Sequence, residues 1–233
     1  MPTLYQIIKD KLQSKSQQAE EQKVYNPLDI RVGSLVTIDA IDFRGKQWKV
    51  AQIRAYDITP SGSSKHFRMT EYTFQTAPFP GAECETCFLR VYPKPDDPNR
   101  VNILLLTAIH DTPWDGDGEA IVGVCRNPSE DLDFREYNEE KGINDCYWRV
   151  DDNKSSFLAI VRVLEDQNGD GMIAADEIRT IGLEYWDFWR NFETEGVEIL
   201  QYLYIELDSK TGWVQGKRGQ QIEPERVFIT SPV

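Results

Sequence analysis

From Asn26 onward, apolar and polar positions alternate in short runs, with the two-residue period of a β-strand. Leu35–Ile41 predicts a first strand, Phe43-Arg-Gly-Lys46 a turn and Trp48–Tyr56 the return. After the loop residues Pro60-Ser-Gly-Ser-Ser64 the pattern resumes over Phe67–Phe74 and Phe88–Tyr92. The near-continuous apolar run Val101-Asn-Ile-Leu-Leu-Leu106 predicts a buried strand, and Ala120–Val124 closes the series. Beyond Asn127, strands are expected over Leu132–Tyr137, Cys146–Val150, Trp213–Gln215 and Val227–Ile229. A half-buried strand is expected over Ile199–Leu207: Leu203, Ile205 and Leu207 share one face, Tyr202, Tyr204 and Glu206 the other.

Helical spacing occurs in three places. Leu4, Ile7, Ile8 and Leu12 form one narrow apolar stripe after Pro2 and Thr3, which predicts an N-terminal helix, with residues 13–24 as its polar tail or a linker. Tyr185, Phe188, Trp189 and Phe192 are spaced for one helical face and read as core, although five aromatics in eight residues could also line a ligand groove. Phe157, Ile160, Val161 and Leu164 fit a helix as well, yet the β-branched residues of the same run suit a buried strand. The expected fold is α+β, mainly antiparallel β as a sandwich or small barrel, with an N-terminal helix. Its parts would be 1–25 (helix and linker), 26–126 (a β-rich half) and 127–233 (an acidic β-rich half that could pack with the first as one domain).

The stretch Asp166-Gln-Asn-Gly-Asp-Gly-Met-Ile-Ala-Ala-Asp-Glu177 has the spacing of a cation loop. Calcium takes six to eight oxygen ligands, and a twelve-residue loop supplies them from alternate positions if it turns sharply in the middle. Asp166, Asn168 and Asp170 stand at positions one, three and five, Gly171 at six, Ile173 at eight and Glu177 at twelve; Met172 would lend its backbone carbonyl. These residues resemble the loop of the EF-hand family. The resemblance implies calcium, held by Asp166, Asn168, Asp170, Met172 and Glu177. A metal-free turn remains the alternative, since Asn-Gly and Asp-Gly are strong turn signals. A second loop is not expected at Asp111–Glu119, where Pro113 and Val122 would occupy ligand positions.

Charge sharpens this picture. The 233-residue chain carries a formal charge of -13, and residues 130–198 alone hold 19 acids against 7 bases. Such a field attracts cations and repels phosphate backbones, so nucleic-acid binding is not expected. No apolar run approaches the roughly 20 residues of a membrane span, and the start of the chain lacks the pattern of a secretory signal. Four cysteines without a disulfide pattern add to a cytoplasmic expectation. Cys84-Glu-Thr-Cys87 could be half of a zinc site or a redox pair, although Cys125 and Cys146 do not form the second pair.

The stretches Val32-Gly-Ser-Leu-Val-Thr-Ile, Gln47-Trp-Lys-Val-Ala-Gln-Ile and Thr70-Glu-Tyr-Thr-Phe resemble uncharacterised bacterial small β domains, a likeness that brings no activity. His66 and His110 stand apart with no neighbour to tune them, and neither a nucleophile elbow nor a P-loop is present. The expectation is therefore a non-catalytic calcium-binding protein that contacts a protein partner. The alternatives are a hydrolase-like enzyme with an acidic cleft and an aromatic-groove binding module.

Overall fold

Among the described residues, the strand-period alternation produces thirteen strands: β1 (Leu35–Ile38), β2 (Trp48–Pro60), β3 (Phe67–Thr76), β4 (Thr86–Pro93), β5 (Val101–Ala108), β6 (Glu136–Asn138), β7 (Ile143–Asp145), β8 (Trp148–Arg149), β9 (Phe157–Glu165), β10 (Ile178–Thr194), β11 (Val197–Asp208), β12 (Val214–Ile222) and β13 (Val227–Ser231). The structure is a computed structural model. It describes residues 26–60, 67–76, 83–94, 97, 100–109, 122–123, 125–126, 136–138, 143–145, 147–149, 157–165, 178–194 and 196–231.

Two antiparallel meanders, β2–β5 and β9–β12, close on each other. β5 pairs with β12 and β9 pairs with β2, so the ring β2-β3-β4-β5-β12-β11-β10-β9 is a closed antiparallel barrel of eight strands. Closure removes the free edges that an open sheet would present. A bulge between Val50 and Gln52 divides β2. Before it, Trp48 and Lys49 pair with β1; after it, Gln52–Pro60 pair with β9. The extra residue re-aims the strand from one partner to the other. β1 in turn pairs with β13, extending the sheet outside the ring.

Alternation along each strand sorts side chains into the lumen or onto the outer wall. Tyr56, Ile58, Met69, Phe88, Leu104, Leu106, Ala159, Val161, Val163, Leu183, Tyr185 and Tyr204 pack together inside. Outside, one apolar wall formed by Val50, Ile53, Tyr72, Phe74, Leu89 and Leu105 is covered by Ile30, Val32, Val36 and Ile38. A second outer cluster joins Trp186, Phe188, Leu203 and Ile205 to Val122, Cys125 and Tyr147. Each fully buried aliphatic or aromatic residue adds roughly 1.5–3 kcal/mol, so three clusters share the stabilisation rather than one.

These findings correct the α+β expectation: the described residues are almost entirely antiparallel strand, eight of the strands closing as a barrel, with β6 and β7 a separate two-stranded sheet. The proposed N-terminal helix, Leu4–Leu12, lies outside the described residues. Tyr185–Phe192 is not helical but the middle of β10, the longest strand at 17 residues. The helical reading failed because each face of β10 is apolar for its own reason, Tyr185 inward and Trp186 and Phe188 outward. Phe157–Leu164, open between helix and strand, is strand β9. The strand expected over Ala120–Val124 is also corrected, since Val122 and Gly123 are helical.

Closure between β12 and β5 depends on Gly219. A β-carbon there would stand 1.8 Å from the Leu105 carbonyl oxygen, against backbone that cannot swing away. Gly219→Ala is expected to destabilise the fold by about 3 kcal/mol, measured by chemical denaturation. An unchanged denaturation midpoint would show that the seam does not need this close approach.

Candidate functional site

The sequence-predicted ligands Asp166, Asn168, Asp170, Met172 and Glu177 lie outside the described residues; their frame is described. β9 and β10 are antiparallel neighbours, and Leu164 stands in register with Ile178. Paired positions of this kind hold their Cα atoms about 5 Å apart, so the two ends of the 166–177 connection are brought together by the barrel wall. At the same mouth, Glu165 accepts a hydrogen bond from the Gln52 side-chain amide and an ion pair from Arg179, each at 3.3 Å. The described flanks are strands of one sheet, where an EF-hand has helices.

A second constellation fills the lumen, assembled from strands distant in sequence. Glu71 on β3, Arg90 on β4, Glu206 on β11 and Lys217 on β12 are each at most 1% exposed. Arg90 Nη2 donates to Glu71 Oε2 at 2.6 Å and to Glu206 Oε1 at 2.5 Å. Lys217 Nζ donates to the other oxygens, Glu71 Oε1 at 2.6 Å and Glu206 Oε2 at 3.0 Å. Two carboxylates and two cations therefore alternate in a closed ring across the barrel. Tyr56 donates its hydroxyl to Glu206 at 3.1 Å, and Arg54 Nη1 lies 3.7 Å from Glu206.

Aromatic faces surround the cations. The Arg90 guanidinium lies 4.3 Å from the Tyr204 ring centroid and 5.4 Å from that of Tyr56, while Lys217 Nζ is 4.7 Å from the Phe88 ring. Tyr185 stacks on Tyr204 at 5.8 Å, and Tyr204 on Tyr202 at 6.3 Å. Such contacts strengthen when desolvated.

These surroundings set the protonation states. Burial works to raise the Glu71 carboxyl, but Lys217, Arg90 and Arg54 together lower it to about 2. Burial pulls the Lys217 ammonium below its ordinary value, with Glu206 and Glu71 opposing. Burial raises the Tyr56 phenol well above its usual range, reinforced by Glu206 and Glu71, and burial likewise raises Tyr185 and Tyr204. Glu71 is thus an anion at neutral pH and the three tyrosines are neutral, Tyr56 donating its hydroxyl to Glu206. The ring acts as a brace across the lumen.

None of these four charged residues was singled out from the sequence. The sequence pattern sets Glu206 with Tyr202 and Tyr204 on one face of a half-buried strand, and the structure makes that face lumenal. The available signal was a charge set between large apolar neighbours, as in Met69-Thr-Glu-Tyr72 and Leu89-Arg-Val91.

The cysteines fall in different surroundings. Cys84 is exposed, donating to the Thr76 carbonyl at 3.5 Å, whereas Cys87 is sealed in the outer core. Burial, with Glu85 adding to it, pushes the Cys87 thiol far up, which disfavours the thiolate that zinc or redox chemistry needs. Cys125 belongs to a separate cluster. Among the described residues no group of three or more His, Cys, Asp or Glu side chains is placed to hold a metal, and no helix is long and apolar enough to cross a membrane.

Two outcomes follow from the ring. Arg90→Met leaves Glu71 and Glu206 short of a buried partner and is expected to cost about 3–5 kcal/mol, read from urea denaturation; a loss below 1 kcal/mol would show that the ring contributes no more than a surface pair. Because the folded Glu71 carboxyl titrates at about 2 against an ordinary 4.5, its contribution is complete above pH ~4.5 and disappears as pH falls toward ~2, on the order of 3 kcal/mol in all. The stability difference between the native chain and Glu71→Gln should accordingly shrink across that window. A difference that stays constant from pH 6 to pH ~2 would contradict the assignment.

Comparison with protein-family models, with curated proteins and with solved structures finds no match to this chain.

Proposed function

We propose that this chain is a non-catalytic calcium-binding protein that contacts a protein partner, with the β9–β10 connection as its ion loop. Asp166, Asn168, Asp170 and Glu177 ligate through side-chain oxygens and Met172 through its carbonyl. The observation that carries this reading is the register of Leu164 with Ile178, which joins the two ends of the twelve-residue ligand pattern. Position one lies two residues beyond Leu164 and position twelve one residue before Ile178, so both enter from a common base. Part of the entropy of closing the loop is met when the barrel folds.

The frame also decides the kind of response. An EF-hand sensor reports calcium by reorienting the helices on either side of its loop. Here both flanks are pinned in a closed sheet, β9 to β2 and β10 to β11. Calcium therefore stabilises the connection without opening the barrel.

Titration calorimetry of the native chain with calcium should show a heat that disappears in Asp170→Ala, and calcium at about a hundred times its dissociation constant should add about 2.7 kcal/mol to stability. Identical melts in calcium and in chelator, together with no calcium heat, would sink the proposal.

A further inference from the structure

Past the barrel, β10 and β11 continue as a two-stranded ribbon over residues 190–200. β11 pairs with β12 only from Gln201 onward, while the pairing of β10 with β9 stops at Tyr185 and with β8 at Trp189. Register sets Glu193 opposite Glu198, Asn191 opposite Leu200, Trp189 opposite Tyr202 and Asp187 opposite Tyr204. All eight share the face that becomes lumenal further along. Glu193, Glu198 and Asn191 are exposed, Leu200 is 41% exposed, and Trp189, Tyr202 and Asp187 are half-buried. Like charges directly opposite one another weaken a strand pair. Among the described residues no cation pairs with Glu193 or Glu198.

We propose that this face docks an extended, basic segment of a partner protein, with lysine or arginine at alternate positions. Successive rungs lie two residues apart, about 6.8 Å along a strand, which is also the spacing of same-side side chains in an extended peptide. The carboxylate rung of Glu193 and Glu198 at the tip takes cations by charge. The aromatic rung of Trp189 and Tyr202 takes a cation on its ring faces, and Leu200 gives the peptide stem apolar contact. The chain already uses this chemistry one rung deeper, where Arg90 lies on Tyr204 at 4.3 Å. The ribbon and the paired positions Leu164 and Ile178 stand at opposite ends of the barrel. The inference rests on the reading above only for the existence of a partner.

The test is fluorescence anisotropy of a fluorescein-labelled peptide of alternating lysine and valine, with a glutamate–valine peptide as its counterpart. The lysine peptide should bind and the glutamate peptide should not. Glu193→Gln with Glu198→Gln should weaken binding roughly tenfold. Glu83→Gln with Glu85→Gln, which removes the same charge from exposed positions at the other end, should leave it nearly unchanged, with melting curves confirming that each variant folds. Asp170→Ala should bind the peptide like the native chain, so a failed calcium site and a failed docking face give different results. Equal weakening by both double variants, or no preference for lysine over glutamate, overturns the proposal.

Discussion

The ring of Glu71, Arg90, Glu206 and Lys217 is the constraint on which the architecture rests. Removing four charges from water costs several kcal/mol each, and only good mutual geometry offsets that cost. Here each carboxylate meets one cation with one oxygen and the other cation with its second oxygen, while Tyr56 and the faces of Tyr204 and Phe88 complete the surroundings. The ring need not add net stability to be decisive. A one-residue slip of β3, β4, β11 or β12 would move a charge from the lumen to an apolar outer wall and leave its partners unmatched, so the ring specifies register.

That specification matters because the barrel closes between distant segments. The β2–β5 and β9–β12 meanders each form from local hairpins, but the seams β5–β12 and β9–β2 join residues 97 or more positions apart. Glu71 and Arg90 come from one meander and Glu206 and Lys217 from the other, so the ring ties the two halves across the lumen. Gly219 performs the complementary steric task at one seam, admitting the β5 backbone where any side chain would exclude it. With the lumen braced, both ends of the barrel become rigid supports: one holds the base of the acidic connection, the other projects the acidic and aromatic ribbon.

Most strands were legible because their alternation is local. Trp48–Tyr56, Phe67–Phe74, Phe88–Tyr92 and Val101–Leu106 all lie within observed strands. β10 departs from the helical expectation because Tyr185, Phe188, Trp189 and Phe192 satisfy a helical period, while the lumen and the outer cover each demand apolar residues from successive positions. The loop ligands were visible as a spacing of oxygens, but the strands on either side of them were not. The charged ring left only a faint trace, since a glutamate amid aromatics reads equally as a wet face.

The sequence by itself determined the alternation that makes strands, the turns that separate them, the concentration of acid in residues 130–198 and the oxygen-bearing spacing of Asp166–Glu177. Only the tertiary structure decided which face of each strand is inside, that four isolated charges meet, and that Leu164 and Ile178 hold the acidic connection at its base. The reason is physical. Strand period arises between neighbours along the chain, whereas inside and outside have no meaning until a sheet closes, and closure is set by contacts between residues far apart in sequence.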